Sequence, residues 1–320
     1  MQLEGRKKMS NKQKVNYGEW VRKYALIGIM LLLAIVFTIL NPIFIAPGNL
    51  LNIIRQASVM VIFSVGVTYV MISGMIDISI AGVATLAAMI AAQLLQSGQN
   101  IVLAILGALL VGIIFGLLNG FLVTRFNLNS MIVTLATNSL ATGGTLLICN
   151  GIAVYNLPET FMKLGRGYIG IIPLQVIIMA IIVIISFVVL AKTVYGRRIF
   201  AIGGNSTVAK LSGLAVEPSI VSCFVISGIC AALAGMILAA RMATAQPTPS
   251  STTVMDVIAA VVIGGTPLSG GKGGVIGSLL GAILLTMISN GLTINGVSSY
   301  WQMVISAGIL IVTIILYRDE

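Results

Sequence analysis

Apolar runs of about twenty residues, cut by short polar or Gly/Pro breaks, recur along this chain of 320 residues. A run of that length matches the hydrocarbon thickness of a bilayer. The first covers 24–40, and Asn41, Pro42, Pro47 and Gly48 turn the chain. The second covers 50–73 and breaks at Ser73–Ser79 around Asp77; a third follows to Leu95. Ser97–Asn100 is a loop, and the fourth and fifth runs cover 101–124 and 130–149. A polar loop at 150–170 precedes the sixth, 171–190. After the polar stretch 192–218 the seventh covers 219–240, and a Pro/Ser/Thr-rich loop spans 243–253. The eighth, 254–263, is short and ends in a glycine-rich break, 264–274. The ninth and tenth cover 275–289 and 300–317. The expectation is an all-α integral membrane protein with about ten transmembrane helices, in which the breaks at Asp77 and Gly264 could be re-entrant.

Composition agrees. The chain is 58% hydrophobic and 8% charged, where soluble domains carry about 25% charge. Two regions are expected: a basic cytoplasmic tail at 1–23, poorly ordered at its MSNKQK stretch (9–14), and one transmembrane domain over 24–320 with a central cytoplasmic loop at 192–218. The first apolar run has no small-residue cleavage site and is expected to stay as a helix. The net charge of +10 reflects topology rather than a nucleic-acid face. With ten crossings and the tail inside, fourteen of the eighteen Lys and Arg fall on the tail side. Arg55, Lys163, Arg166 and Arg241 fall on the other. Short basic loops stay cytoplasmic, so both termini are expected there.

The chain has no histidine, and Cys149, Cys223 and Cys230 lack metal-ligand spacing. No metal site and no catalytic nucleophile–base pair is visible. The glycine run around Lys272 is not a phosphate loop, because Gly273 follows the lysine where that motif needs Ser or Thr. Gly270, Gly274 and Ser278, and likewise Gly273, Gly277 and Gly281, recur every four residues. Small residues at that spacing let helix backbones approach, so packing is the favoured reading and a flexible gate the rival.

Asp77 and Asp256 are the acids near or within spans. Each reads either as a path or gate residue or as a helix N-cap, where a carboxylate is cheap. Thr134, Asn138, Thr142 and Thr145 share one helical face; the stripe reads as interhelical glue or as a lining for a hydroxyl-rich solute. Asp77 with Asn119-Gly120, and Asp256 with Asn290-Gly291, form a weak echo across the membrane, as an inverted repeat would.

The central loop carries Lys192, Arg197, Arg198 and Lys210. Within it Asn205 and Ser206 can cap a short helix through Ala209, Lys210, Leu211 and Ser212, stopped by Gly213. Helices this short are marginal alone, so a soluble partner is expected to pack on it.

Three stretches then resemble one family. AIGGN (Ala201–Asn205, with Gly203 and Gly204) followed by AKLSGL (Ala209–Leu214) resembles the coupling-loop signature of permease subunits of ribose-type ABC sugar importers. Asp256–Ala282 looks like their second signature, and GMIDIS (Gly74–Ser79) is similar to their GIDLS motif; NPIF before NLLNIIRQAS also fits. The match runs from about Asn41 onward. Met75 stands where the family usually has Gly, and Val254 where it usually has Glu. The resemblance implies ten helices per subunit and a permease dimer of identical or closely related chains in the cell (inner) membrane. It also implies a cytoplasmic ATPase holding the ATP and magnesium, so this chain binds no cofactor of its own, and an extracytoplasmic solute-binding protein. The solute implied is ribose or another sugar. Related solutes (nucleosides, furanone signals, branched-chain amino acids) and an ion-coupled secondary transporter are the rivals.

Overall fold

The computed structural model describes residues 17–248 and 253–316. Most of the predicted tail lies outside them, but its last residues are helical: α1 runs Tyr17–Leu40. A 3-10 turn, Pro42–Ile45, follows, and α2 (Pro47–Ile72) opens with proline in its first turn, where a missing N–H costs nothing. Then come α3 (Ile80–Gln96), α4 (Ile101–Arg125) and α5 (Ser130–Cys149). The side chains of Asn100 and Asn129 cap α4 and α5 by accepting from the N–H groups of Leu103 and Met131.

The predicted loop at 150–170 holds more structure than expected. It contains the amphipathic helix α6 (Glu159–Arg166) and a hairpin of β1 (Tyr168–Ile169) and β2 (Ile172–Pro173). α7 (Leu174–Lys192) follows. The central loop also holds two helices, α8 (Val194–Gly204) and α9 (Ser206–Leu211), rather than one. Long α10 (Val216–Met242), short α11 (Thr253–Ile263), α12 (Val275–Ile294) and α13 (Ser299–Leu316) complete the described chain. Six of these helices are long and apolar enough to cross a membrane; 26–40, α3 and α11 are shorter apolar segments.

α10 is the central helix, packed by α2, α3, α4 and α6. Its contact with α4 is built on small residues. Ala104, Ala108, Gly112, Gly116 and Gly120 recur every four positions and are buried. A Cβ on Gly112, Gly116 or Gly120 would overlap the α10 backbone at Gly228, Phe224 or Val221. Hydrophobic force between helices is weak in lipid, so close backbone packing takes its place. The opposite face of α4, with Val102, Leu106, Leu110, Ile114, Leu117 and Phe121, is exposed and apolar.

The glycine-rich signature needs a correction. Gly270 and Gly273 have φ of +80° and +113° and lie in the loop before α12, and Gly274 is its extended N-cap. Backbone with positive φ cannot belong to the helix, so the four-residue stripe exists only from Gly277 onward. Gly277 and Gly281 do pack closely: a Cβ on either would overlap the carbonyl of Gly264, just after α11, or of Ala260 within it.

Candidate functional site

Residues 73–79 leave the helical path between α2 and α3, which strips backbone N–H groups of their partners. α5 supplies replacements from one face. Ser130 Oγ accepts from the Ile76 N–H (3.1 Å), Thr134 Oγ1 from the Ile78 N–H (3.1 Å), and Asn138 Oδ1 from the Gly82 N–H (2.9 Å). Of the polar stripe of α5, Thr134 and Asn138 hold the break, whereas Thr145 donates to the Ala141 carbonyl of its own helix and the Thr142 hydroxyl has no hydrogen-bond partner.

Asp77 sits inside this break, 2% exposed. One carboxylate oxygen accepts from the Ser79 N–H (2.9 Å) and hydroxyl (2.6 Å), and the other from the Ser227 hydroxyl of α10 (2.7 Å). Asn119 of α4 donates to Ser79 Oγ (2.9 Å) and accepts from Thr137 of α5 (2.6 Å). One carboxylate thus closes the turn into α3 and joins α3, α4, α5 and α10. The N-cap of α3 is Ser79 rather than Asp77, whose carboxylate makes a local turn just before the helix and also crosslinks helices. The partner on α10 was not legible, because Ser227 is one serine among several there.

The four candidate path or gate residues lie on two segments. Asp77, Thr134 and Asn138 belong to the break, whereas Asp256 lies in the first turn of α11. Of the residues in the repeat echo, Asn119 reaches Asp77 through Ser79, and Asn290 pairs with Asn49 on α2. A cavity of about 330 Å³ lies between α2, α3 and α10, and none of the four lines it. Its polar lining includes Thr85, Thr244, Gln246 and Thr248. Thr244 is 9% exposed, and its hydroxyl has no hydrogen-bond partner.

The central stretch forms a hook. Thr193 caps α8 by accepting from the Gly196 N–H, and the Tyr195 hydroxyl meets Ser222 Oγ of α10 at 2.6 Å. Asn205 caps α9 by accepting from the Val208 N–H (2.9 Å). Gly213, at φ +80°, closes α9, with Leu214 N–H donating to the Ala209 carbonyl (3.1 Å). An ion pair from Lys210 to Glu217 ties α9 to the start of α10; both groups are exposed, so it contributes little. Of the residues in this short helix, Ala209 does not face outward: it is buried at 4% within this chain's own core. Helical spacing turns Leu211 (84% exposed) and Val208 outward instead.

The hook is rooted in both helix breaks. A Cβ on Gly203, at the end of α8, would overlap the Ile72 carbonyl and the Gly271 N–H. Gly271 N–H itself donates to the Ile72 carbonyl (2.9 Å), and Gly270 lies against the backbone of Gly74. Gly204, the next residue, lies against Gly271. The hook, the break after α2 and the glycine-rich loop thus meet backbone to backbone.

A family model described as branched-chain amino acid transport system / permease component matches residues 49–314. The chain belongs to this permease family. It is 37% identical over 293 residues to the ribose import permease protein RbsC of Bacillus subtilis, covering 91% of each chain. Identity to the ribose import permease protein of Haemophilus influenzae is also 37%, over 299 residues and 92% of each. Identity to the D-allose transport system permease protein AlsC of Escherichia coli K12 is 33%, over 97% of this chain and 95% of the relative. No solved structure matches. Family membership and the apolar helices make this a multi-pass membrane permease.

Proposed function

We propose that this chain is the membrane subunit of an ABC importer that moves a monosaccharide into the cytoplasm. A solute-binding protein delivers the sugar, and a partner subunit holds and hydrolyses the ATP with its magnesium. The observation that carries the reading is the hook. A two-helix projection presenting Val208 and Leu211 to solvent, and rooted at Gly203 in two helix breaks, suits a device that receives force from a soluble partner. The sugar is supported by relatives named for ribose and allose. Hydroxyl and amide groups of Thr85, Thr244, Gln246 and Thr248 in one cavity suit a hydroxyl-rich solute.

The same reading has ten crossings, the six long helices with 26–40, α3, α11 and α13 added, and both termini in the cytoplasm. The membrane is the cell (inner) membrane. Two copies, or this chain with a close paralogue, assemble as the permease pair. An inverted repeat would have the two breaks, 73–79 and 264–274, as its anchors. The family's name supports a second reading, a branched-chain amino acid permease; calorimetry of the cognate binding protein with ribose, allose and leucine separates the two. For the transport cycle, the reconstituted complex should show solute uptake that needs ATP. Uptake driven by an ion gradient without ATP would reject the importer reading. For orientation, a cysteine at position 205 should be labelled from the cytoplasm and one at position 160 from outside. Labelling of position 205 from outside would reverse the topology.

A further inference from the structure

Arg55, Lys163, Arg166 and Arg241 are the four cations that the charge pattern separates from the other fourteen. They come from distant parts of the sequence, yet the fold gathers them at one end of the bundle. α6 carries Lys163 and Arg166 and is seated on α10 by Gly165, where a Cβ would overlap the backbone of Arg241. Arg55 reaches across from α2 and donates to the Gly165 carbonyl (3.4 Å) and the Tyr168 hydroxyl (3.3 Å). Its guanidinium carbon lies 5.7 Å from the centre of the Tyr168 ring. Arg166 Nε donates to the Arg241 carbonyl (2.8 Å), and Arg55 and Arg241 are both partly buried.

Among the described residues no carboxylate pairs with any of the four; the one ion pair is Lys210 with Glu217. Arg55 Nε is enclosed and has no hydrogen-bond partner. Partly buried like charges are costly unless an anion joins them. The surface beside them says which kind of anion. The hairpin that begins at Tyr168 exposes Ile169, Ile171 and Ile172, and Ile171 is 89% exposed. Leu50 and Ile54, on the same stretch of α2 as Arg55, are also exposed. An acidic protein surface would match the arginines but leave these side chains in water. A phospholipid matches both, with its phosphate at the guanidinium groups and its chains along the isoleucines.

We propose that α6 and the 168–173 hairpin form an interfacial phospholipid site, in which Arg55, Arg166 and Arg241 hold an anionic headgroup and the hairpin isoleucines lie among the acyl chains. The site goes beyond the transport reading and needs only that the chain sits in a membrane. Native mass spectrometry of the full-length permease with dioleoyl phosphatidylglycerol and dioleoyl phosphatidylcholine tests it. The wild type should retain phosphatidylglycerol preferentially. R55Q/R166Q/R241Q should lower that retention about tenfold or more, since each cation near an anionic surface contributes about a fivefold factor. The triple Arg→Lys variant should keep most of it, because the charge remains. Should the glutamine variant fail to fold, the wild type decides: its preference should fall as salt rises toward about 1 M, where screening acts within about 3 Å. Equal retention of the two lipids, or a preference indifferent to both salt and the glutamine variant, overturns the proposal. So does a melting temperature raised as much by inorganic phosphate as by the lipid. A variant that loses affinity for the purified binding protein but keeps its lipid preference would make the cluster a protein-docking site, and the lipid site would be rejected.

Discussion

Removing the Asp77 carboxylate should cost stability, and the cost should be shared with Ser227. In the folded chain the carboxylate accepts three hydrogen bonds at 2.6–2.9 Å, and it is 2% exposed. Asp77→Ala leaves the Ser227 hydroxyl and the Ser79 N–H without an acceptor, and each orphaned buried group costs about 1–3 kcal/mol. A total loss of about 3–5 kcal/mol follows. Ser227→Ala removes one donor and leaves the other two, so its cost should be about 1–2 kcal/mol. Neutral hydrogen bonds between membrane helices average only about 0.6 kcal/mol, because the unfolded chain in the membrane also finds partners. A carboxylate acceptor lies at the upper end, so the coupling energy should be about 1.5 kcal/mol.

The assay is a double-mutant cycle on the purified permease, unfolded with sodium dodecyl sulfate in mixed micelles and followed by circular dichroism. Asp77→Asn should fall between wild type and alanine, since its carbonyl can still accept from Ser79. Additive single effects, within about 0.5 kcal/mol, would show that the 77–227 bond does not join α3 to α10. The cycle also separates a hub from a path-lining acid. A variant that keeps full stability but loses solute uptake would return Asp77 to the path.

Other expected outcomes test the packing and the hook. Gly277→Leu should lower the melting temperature or the yield of folded permease, because overpacking costs about 1–3 kcal/mol and the Gly264 carbonyl is backbone that cannot step aside; an unchanged melting profile would argue against it. Gly213→Val should strain the end of α9 by about 1–3 kcal/mol and cut solute-stimulated ATP hydrolysis in the reconstituted complex while the permease still reaches the membrane. Leu211→Asp should leave the melting temperature unchanged and lower the same ATPase stimulation, whereas Ala209→Glu should destabilise the permease itself, since Ala209 is buried in its own core. If the two variants behave alike, α9 does not present the face described above.

The apolar runs were legible because lipid imposes a length on them, and nearly every predicted span appears as a helix within a few residues. What was missed lies where that constraint is absent. α8 is short and carries Arg197, Arg198 and three glycines, so Val194–Gly204 read as loop; its anchors, Tyr195 on Ser222 and the buried Ile199 and Ile202, are tertiary. α6 carries its apolar side chains on one narrow face, Phe161 with Gly165, inside a stretch that looks polar on average. The glycine spacing was carried too far. It holds at Gly277 and Gly281 but not at Gly270–Gly273, where positive φ breaks the helix, and it was overlooked at Ala104–Gly120, where five small residues stack against α10. Spacing alone does not say whether glycines are helical, and a run of adjacent glycines is itself evidence for a loop. The α5 stripe was legible as a face but not as a partner for the backbone at 76–82, because nothing local reveals which N–H groups a distant break leaves open.

The convergence of Gly203, Ile72, Gly74, Gly270 and Gly271 has a mechanical meaning. Three segments touch there through backbone atoms, with few side chains between them. Side-chain contacts can absorb a displacement by changing rotamer, but backbone in contact with backbone has no such freedom, and close-packed interiors pass strain on. A shift of α9 would therefore move the end of α8, and with it the Ile72 carbonyl and the Gly271 N–H. Beyond Ile72 the chain enters the break whose backbone is held by Ser130, Thr134 and Asn138 and whose carboxylate holds α10. Gly203→Ala tests this link. One methyl group there falls on the Ile72 carbonyl, so the three segments must part even though no hydrogen bond or charge is removed. Solute uptake should drop while binding of the ATPase to α9 persists, because the exposed face of α9 is untouched. Full uptake by Gly203→Ala would mean that the hook and the breaks move independently, and their contact would then be packing alone.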